Sequence, residues 1–346
     1  MKILVVSSSV WPVPLKSYGG LEQIAYLCAK ELSSLGHQVT LQAPVGSVMP
    51  DRVEHLPVGV GEPEIDIYNR LSRDWQEFGR DGVVISHDWS KFQYLTKARQ
   101  SGRFGLIGVC HAPIEGMFQK PPPVDKPCLV GISHDHSRKI RRHLSLNAKT
   151  VHNGIDLDFY KQNRPERSSR FAFVNRISIL KGPDIAVRIA RQGGVELDIA
   201  GDTLFTREPD YGLAVKSQCD GDKIRWLGPV SREETVSIYS RSKALLNTLN
   251  YKIWQEPFGL VPVEAQACGC PVLTVRSGAM SEIVLDGVTG FVCDTYDELA
   301  DLIRYDAVSD IKTSDCRAWV ESRFSAMAMG KAYEKLCEDV MEDREW

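Results

Sequence analysis

The sequence is short of several features that mark common protein classes, and each shortage excludes something. No apolar run approaches the ~20 residues that span a bilayer. The run at the N-terminus, Met1-Lys2-Ile3-Leu4-Val5-Val6, turns polar at Ser7; it is too short for the core of a secretion signal and suits a buried parallel strand. The formal net charge is only −3, so there is no global field for a nucleic acid, and an anionic ligand would need a local basic site. The nine cysteines are odd in number and scattered, no C-x-x-C occurs, and the closest pair is Cys268 and Cys270. That argues against a disulfide framework or a zinc site and for a reducing, cytoplasmic setting. No G-x-G-x-x-G follows any strand, which argues against a dinucleotide enzyme. There is no low-complexity tract and no short repeat.

What is present is ordinary in bulk and informative in pattern. A chain of 346 residues, 43% apolar and 25% charged, suits two α/β domains. Apolar runs alternate with amphipathic stretches. Lys2–Val6, Val39–Ala43, Val83–Ser86, Leu106–Cys110 and Leu129–Ile132 read as buried strands, and Leu21–Leu35 reads as a helix ended by Gly36. The pattern restarts after the polar stretch Lys161–Arg170. Strands are expected at Phe171–Val174, Val195–Ala200, Ile224–Leu227, Ala244–Asn247, Val272–Val275 and Gly290–Val292, with Pro183 as the first residue of a helix. Such alternation predicts parallel βαβ units. The expected domains are 1–160, 161–324 and a final helix within 325–346. That helix carries Met329, Tyr333, Leu336 and Val340 on one face, and something must cover it.

Ligands bind beyond the carboxyl ends of strands in open α/β sheets, so the loops there hold the chemistry. In Glu256-Pro257-Phe258-Gly259-Leu260-Val261-Pro262-Val263-Glu264 a loop feeds a short helix that Pro262 could start and Gly269 could stop. Its first amides, Phe258–Val261, form an anion site, and Gly259 allows a close approach. Glu256 in the loop and Glu264 in the first turn repel phosphate but match sugar hydroxyls; Glu264 could equally just complement the helix dipole. Arg176 and Lys181 bracket the loop after Val174 and could neutralise a diphosphate, or be a solvated basic loop. Gly19 and Gly20 open a helix and admit a ligand close to the backbone, or simply make a tight turn. His111 follows a strand directly and could contact a reacting group or be structural. Asp156-Leu157-Asp158 has a metal-binding form but falls beside the linker and reads as turn and cap residues. His134-Asp135-His136 reads as the opening of a polar helix, so no metal is expected.

Taken together these residues resemble the retaining GT-B glycosyltransferases, in the large family of sucrose-synthase and bacterial mannosyltransferase type. The likeness runs through Tyr18-Gly19-Gly20 with Glu22, Gly36-His37-Gln38-Val39-Thr40, His111 and Val151-His152-Asn153-Gly154-Ile155-Asp156. It continues with Arg176, Lys181-Gly182, Gly201-Asp202, Leu227-Gly228, the carboxylates Glu256 and Glu264, and Glu282-Ile283-Val284 before Gly287 and Thr289-Gly290. Gly278-Ala279-Met280-Ser281-Glu282 departs from the family, where many relatives have two glycines and a proline.

The resemblance implies two Rossmann-like domains facing across a cleft, with the C-terminal helix crossing back to the first. It implies that Arg176 and Lys181 hold the diphosphate of a UDP- or GDP-sugar, that Glu264 holds the ribose, and that Glu256 holds a donor-sugar hydroxyl near the Phe258, Gly259 and Leu260 amides. Gly20 would approach the diphosphate and His111 the transferred hexose. The implied reaction is metal-independent hexosyl transfer with retention, without a cofactor, to a saccharide, lipid-linked or small-molecule acceptor in polysaccharide or glycoconjugate synthesis. An epimerase or phosphorolytic enzyme on the same architecture, or a non-catalytic nucleotide-sugar-binding module, stays open. The basic stretch Ser137–Leu144 carries Arg138, Lys139, Arg141 and Arg142. It reads as a solvated face, as a peripheral contact with an anionic leaflet at the inner membrane face, or as attraction for a phosphorylated acceptor.

Overall fold

The computed structural model describes residues 1–14, 20–62, 66, 82–88, 96, 104–114, 127–163, 166–204 and 206–346. They form two compact units, Met1–Gly154 with Ser325–Trp346, and Ile155–Phe324.

The first unit has strands β1 (Lys2–Val6), β2 (Gln38–Pro44), β3 (Val53–Val58), β4 (Gly82–Ser86), β5 (Gly105–Cys110), β6 (Leu129–Gly131) and β7 (Ala148–Thr150). They make one parallel sheet in the order β3-β2-β1-β4-β5-β6-β7. β4 and β5 are buried along their whole length, as a parallel sheet covered on both faces requires. Its helices with described bounds are α1 (Gly20–Ser34), α2 (His134–Leu144) and, from the end of the chain, α10 (Ala326–Met341). Ser325 caps α10 by accepting from the Ala328 amide at 3.1 Å. The apolar face of α10 is covered: Met329, Tyr333, Leu336 and Val340 are all buried, and the helix packs on α1, β4 and β5. The approach to β5 is close because residue 105 is glycine; a Cβ there would lie 2.4 Å from Val340 Cγ1.

The second unit has β8 (Phe171–Val174), β9 (Leu197–Ala200), β10 (Ile224–Gly228), β11 (Leu245–Asn247), β12 (Val272–Val275) and β13 (Gly290–Cys293), parallel in the order β10-β9-β8-β11-β12-β13. Its helices are α3 (Pro183–Gly193), α4 (Pro209–Lys216), α5 (Arg232–Arg241), α6 (Leu260–Ala267), α7 (Met280–Ile283), α8 (Tyr296–Arg304) and α9 (Thr313–Arg323). Pro183 is the first residue of α3, where its missing N–H is no loss, and Gly194 ends the helix at φ 70°. At the amino-terminal edge of this sheet Asp198, almost fully buried, is held by Arg170 at 2.8 Å and Arg241 at 3.2 Å.

Both sheets reverse their winding once, between β1 and β4 in the first and between β8 and β11 in the second. In open α/β sheets the crevice beyond the carboxyl ends of such a strand pair is where ligands bind. The residues in question are Ser7 onward and His87 in the first unit, and Asn175–Gly182 and Thr248–Gly259 in the second.

Gly105 has an ordinary φ, so what opposes a side chain there is chiefly the Val340 Cγ1 methyl, with Val83 Cγ2 next at 3.3 Å. Gly105→Ala should destabilise the first unit by about 1–3 kcal/mol through overpacking. Adding Val340→Ala should recover part of that loss, and urea unfolding of the two single variants and the double variant measures the coupling.

Candidate active site

In the second unit two glycines bring neighbouring loops at the carboxyl edge of the sheet together. Gly201 leaves β9 at φ +145°, and a Cβ there would sit 1.9 Å from the Asn175 carbonyl oxygen, so only glycine lets the two loops lie against each other. Gly182, at φ +66°, backs onto the Thr248 carbonyl, and the Thr248 hydroxyl donates to the Gly182 carbonyl at 2.7 Å. Thus the loop after β8 is tied to the loop after β11. Arg176, half-buried, starts the first loop, and its amide donates to Asn175 Oδ1 at 3.0 Å.

Lys181 ends that loop and forms an ion pair with Glu256. Both are buried, at 6% and 9% exposure. The Trp254 indole N–H also donates to Glu256 Oε2, at 3.1 Å, and its ring lies 5.2 Å from the Lys181 ammonium. Glu256 Oε1 takes no hydrogen bond among the described residues. The backbone of Glu256 is fixed as well, since its carbonyl accepts from the Ala279 amide at 2.9 Å. Gly278, at φ +55°, presses on it so closely that a Cβ would come within 2.1 Å. The departure from the family at Gly278–Glu282 therefore keeps the one glycine this contact needs.

The helix carrying the second carboxylate starts earlier than the sequence suggested. Gly259, at φ 100°, is the N-cap and α6 begins at Leu260, so Pro262 is its third residue. The positive φ, which only glycine accepts readily, turns the chain into the helix two residues early. Two corrections follow. The open donors are the Gly259, Leu260 and Val261 amides, with Pro262 contributing none and Phe258 lying before the cap. Glu264 is in the second turn, and no acidic residue stands in the first, so complementing the helix dipole does not explain it. No side chain caps this N-terminus among the described residues, which leaves it able to receive an anion. Phe258 is buried and meets Phe324 edge-on, with centroids 5.8 Å apart.

Glu264 accepts from the Tyr160 hydroxyl at 2.8 Å and the Tyr239 hydroxyl at 3.4 Å. Burial raises its pKa, and the Tyr160 hydrogen bond and the Arg232 charge oppose that rise. Tyr160, Tyr239, Arg232, Trp254 and Thr248 escaped sequence analysis. Trp254 lay two residues from Glu256 and Tyr160 two from Asp158, but Tyr160, Tyr239, Arg232 and Thr248 all lie far along the chain from the residues they touch.

In the first unit His111 follows β5 and its Nε2 is 2.9 Å from His87 Nδ1, after β4. Burial, with His87 and His136 adding to it, holds the His111 imidazole well below its ordinary pKa, and burial alone pushes His87 down to about 3. The pair is therefore neutral, and one ring donates to the other. His87 Nε2 is buried without a hydrogen bond among the described residues. An orphaned acceptor is less costly than an orphaned N–H, so the favoured tautomer has His87 Nδ1–H donating to His111 Nε2, which leaves the His111 proton on Nδ1. Tyr333 of α10 meets His87 edge-on at 5.7 Å. Gly20 opens α1, while Gly19 and Tyr18 lie outside the described residues. Glu22 accepts from the Ser8 hydroxyl at 2.6 Å.

Asp156 Oδ1 accepts from the Asp158 and Phe159 amides at 3.0 and 3.2 Å, and the Asp158 side chain is 91% exposed. These residues make a turn. Ser133 caps α2, which begins at His134. Three of its four cations are engaged within this unit: Asp135 pairs with Lys139 at 2.7 Å and Arg138 at 3.5 Å, and Arg141 donates to the Ala148 carbonyl at 3.0 Å.

Two outcomes follow from these environments. Removing Lys181 strands a buried carboxylate, so Lys181→Ala should lower stability by about 3–5 kcal/mol. Glu256→Gln added to Lys181→Ala should restore stability in part, and urea unfolding of the two variants measures it. Both histidines have folded pKa values below the unfolded value. Below pH ~6.5 the unfolded chain therefore binds protons that the folded chain does not, and stability falls as pH drops, by up to ~1.4 kcal/mol per pH unit for each. His87→Gln should narrow the difference between unfolding measured at pH 7 and at pH 5.

Residues 155–317 match the family described as glycosyl transferases group 1. The D-inositol 3-phosphate glycosyltransferase of Mycobacterium avium (strain 104) is 34% identical over 290 residues, covering 72% of this chain and 67% of that protein. The enzyme of the same name from Mycolicibacterium smegmatis is 36% identical over 168 residues, covering 42% of this chain and 36% of that protein. The chain spans only 57% of the Mycobacterium sp. (strain KMS) relative. Among solved structures, a sucrose-phosphate synthase from Thermosynechococcus elongatus superposes with TM-score 0.79 at 16% identity, covering 99% of each chain. An Anabaena protein solved in complex with UDP gives 0.76 at 19% identity, covering 98% of this chain and 100% of that one. The structural likeness carries the two Rossmann-like domains of the GT-B fold. The sequence likeness to the Mycobacterium avium protein, over two thirds of that protein, carries the family: the chain belongs to the group 1 glycosyl transferases.

Proposed function

We propose that this protein transfers a hexose from a nucleoside-diphosphate sugar to an acceptor hydroxyl, with retention at the anomeric carbon and without a metal ion or cofactor. The observation that carries the reading is the buried Lys181–Glu256 pair at the winding reversal, in the same loop system as the uncapped N-terminus of α6. Breaking the anomeric bond leaves negative charge on the diphosphate and positive charge on the sugar. Fixed cations and amides aimed at the leaving group lower that barrier without reorganising. In this proposal Arg176, Lys181 and the Gly259–Val261 amides receive the diphosphate, Glu264 takes the ribose hydroxyls, and Glu256 Oε1 takes a sugar hydroxyl. His111 lies near the transferred sugar and Gly20 near the diphosphate. The acceptor attacks on the face the leaving group vacates, and the departing phosphate takes the acceptor's proton. No enzyme nucleophile is needed.

UDP is the favoured nucleotide, because structural neighbours were solved with UDP and with UDP-glucose. A small phosphorylated polyol is the favoured acceptor, because the relatives are named for D-inositol 3-phosphate. No helix among the described residues is long and apolar enough to cross a membrane. In α2 Ile140 is buried and Leu144 packs against the core, so any contact with an anionic leaflet would be electrostatic alone.

The test is nucleoside diphosphate release from a panel of UDP- and GDP-hexoses, with inositol phosphates and simple saccharides as acceptors. Release should require an acceptor, persist in excess EDTA, and gain nothing from anionic liposomes at physiological salt. Binding of donors without acceptor-dependent release of any would leave a binding module. Loss in EDTA restored by manganese would return Asp156 and Asp158 to consideration.

A further inference from the structure

Glu264 is half-buried and held by two tyrosine hydroxyls, and what surrounds it has a purpose the reading above does not use. We infer that Tyr160 is a positioning residue for the nucleotide ribose, its hydroxyl setting the plane of the Glu264 carboxylate before any ligand arrives. This rests on the proposal that Glu264 holds the ribose.

The geometry starts with the backbone. Tyr160 closes the turn made by Asp156, its amide donating to the Asp156 carbonyl at 2.9 Å. Arg317 of α9 then donates to the carbonyls of Leu157 (at 3.1 Å) and Tyr160, and to that of Ala267, the last residue of α6, at 3.0 Å. One guanidinium thus ties the segment carrying Tyr160 to the helix carrying Glu264. The Arg232 guanidinium lies 4.3 Å from the Phe159 ring centroid and 6.0 Å from that of Tyr160, which closes the other side. With its backbone held at both ends of this arrangement, the Tyr160 hydroxyl meets Glu264 Oε1 at 2.8 Å, and the fully buried Tyr239 meets Oε2 at 3.4 Å.

A glutamate carboxylate turns readily about its last bond, and that broad torsion must be ordered before two oxygens can face a vicinal diol. One phenol on each oxygen orders it in advance, while each oxygen keeps capacity for a further hydrogen bond. Both phenols remain donors. Burial and the charge of Glu264 push their pKa values up, and Arg232 offsets this in part for Tyr160. The shorter contact makes Tyr160 the stronger hold, and it is the one a single-atom change removes: phenylalanine at 160 keeps the packing and loses only the oxygen. A carboxylate left to order on binding makes the ligand supply that ordering, so affinity falls where the diol is read and not elsewhere.

The experiment is calorimetry of UDP and 2′-deoxy-UDP (and of GDP and 2′-deoxy-GDP) with the wild type, Tyr160→Phe, Glu264→Gln and the double variant, each with a thermal melt. The wild type should prefer the ribonucleotide. Tyr160→Phe should weaken ribonucleotide binding by about five- to tenfold and the deoxynucleotide less, so that the preference shrinks, and KM for the donor should rise more than kcat falls. In the double variant Tyr160→Phe should add little to Glu264→Gln. A Tyr160→Phe protein that binds the ribonucleotide as well as the wild type, or that loses both nucleotides equally, overturns the inference. If Glu264→Gln still abolishes the preference in that case, the ribose assignment stands and only Tyr160 falls. A wild type with no preference removes both. Should Tyr160→Phe melt early, Tyr239→Phe reads the same carboxylate from its other oxygen, and an unchanged preference there counts against the inference.

Discussion

The second unit is organised around a lysine and a glutamate taken out of water together. Burying either charge alone would be prohibitive, and burying both is tolerable only with close pairing and further hydrogen bonds. Each local feature of the loops serves that requirement. Gly182 and Thr248 lock the two switch-point loops, Gly278 lets the next loop press on the Glu256 carbonyl, and Trp254 donates to the carboxylate oxygen that Lys181 already engages. The pair is neutral overall, but its ends are not. A ligand that brings an anion to the ammonium and a hydroxyl to Glu256 Oε1 can engage both without leaving either charge unpaired. A ligand bringing only one of the two leaves part of the site unused.

How much of this could be read beforehand depends on distance along the chain and on polarity. β8 and β12 appeared at their observed limits, because fully buried parallel strands are continuous apolar runs that end where polar loops begin. β3, Val-Glu-His-Leu-Pro-Val, did not appear. It lies at the sheet edge, where a glutamate, a histidine and a proline are tolerated and the run is broken. β7 is three residues long at the opposite edge, and its lysine hides it. Within the site, the residue types in each loop were legible one loop at a time. The contacts between loops were not. Lys181 and Glu256 are 75 residues apart and Tyr160 and Glu264 are 104 apart, and nothing local records either meeting. The start of α6 was misplaced for a different reason. Proline at the first helical position is the usual signal, whereas here a glycine at positive φ turns the chain first and the proline rides in as the third residue.

The two units share a winding and differ in what they place where it reverses. The second puts fixed charges there. The first puts two histidines there and strips both of charge by burial, with Tyr333 of the C-terminal helix packed against one of them. Under the proposed reaction that difference has a physical logic. The leaving diphosphate gains negative charge, and permanent cations suit it. The sugar gains positive charge at the anomeric carbon, and a cationic imidazole nearby would oppose that change. A histidine left exposed would carry such a charge at mildly acidic pH, since its ordinary pKa is about 6.5. His111, half-buried and leaning on the buried His87, is held neutral and adds no charge of its own. The first unit thus keeps its reversal point free of charge at His87 and His111, whereas the second holds a fixed ion pair, Lys181 and Glu256, at its own.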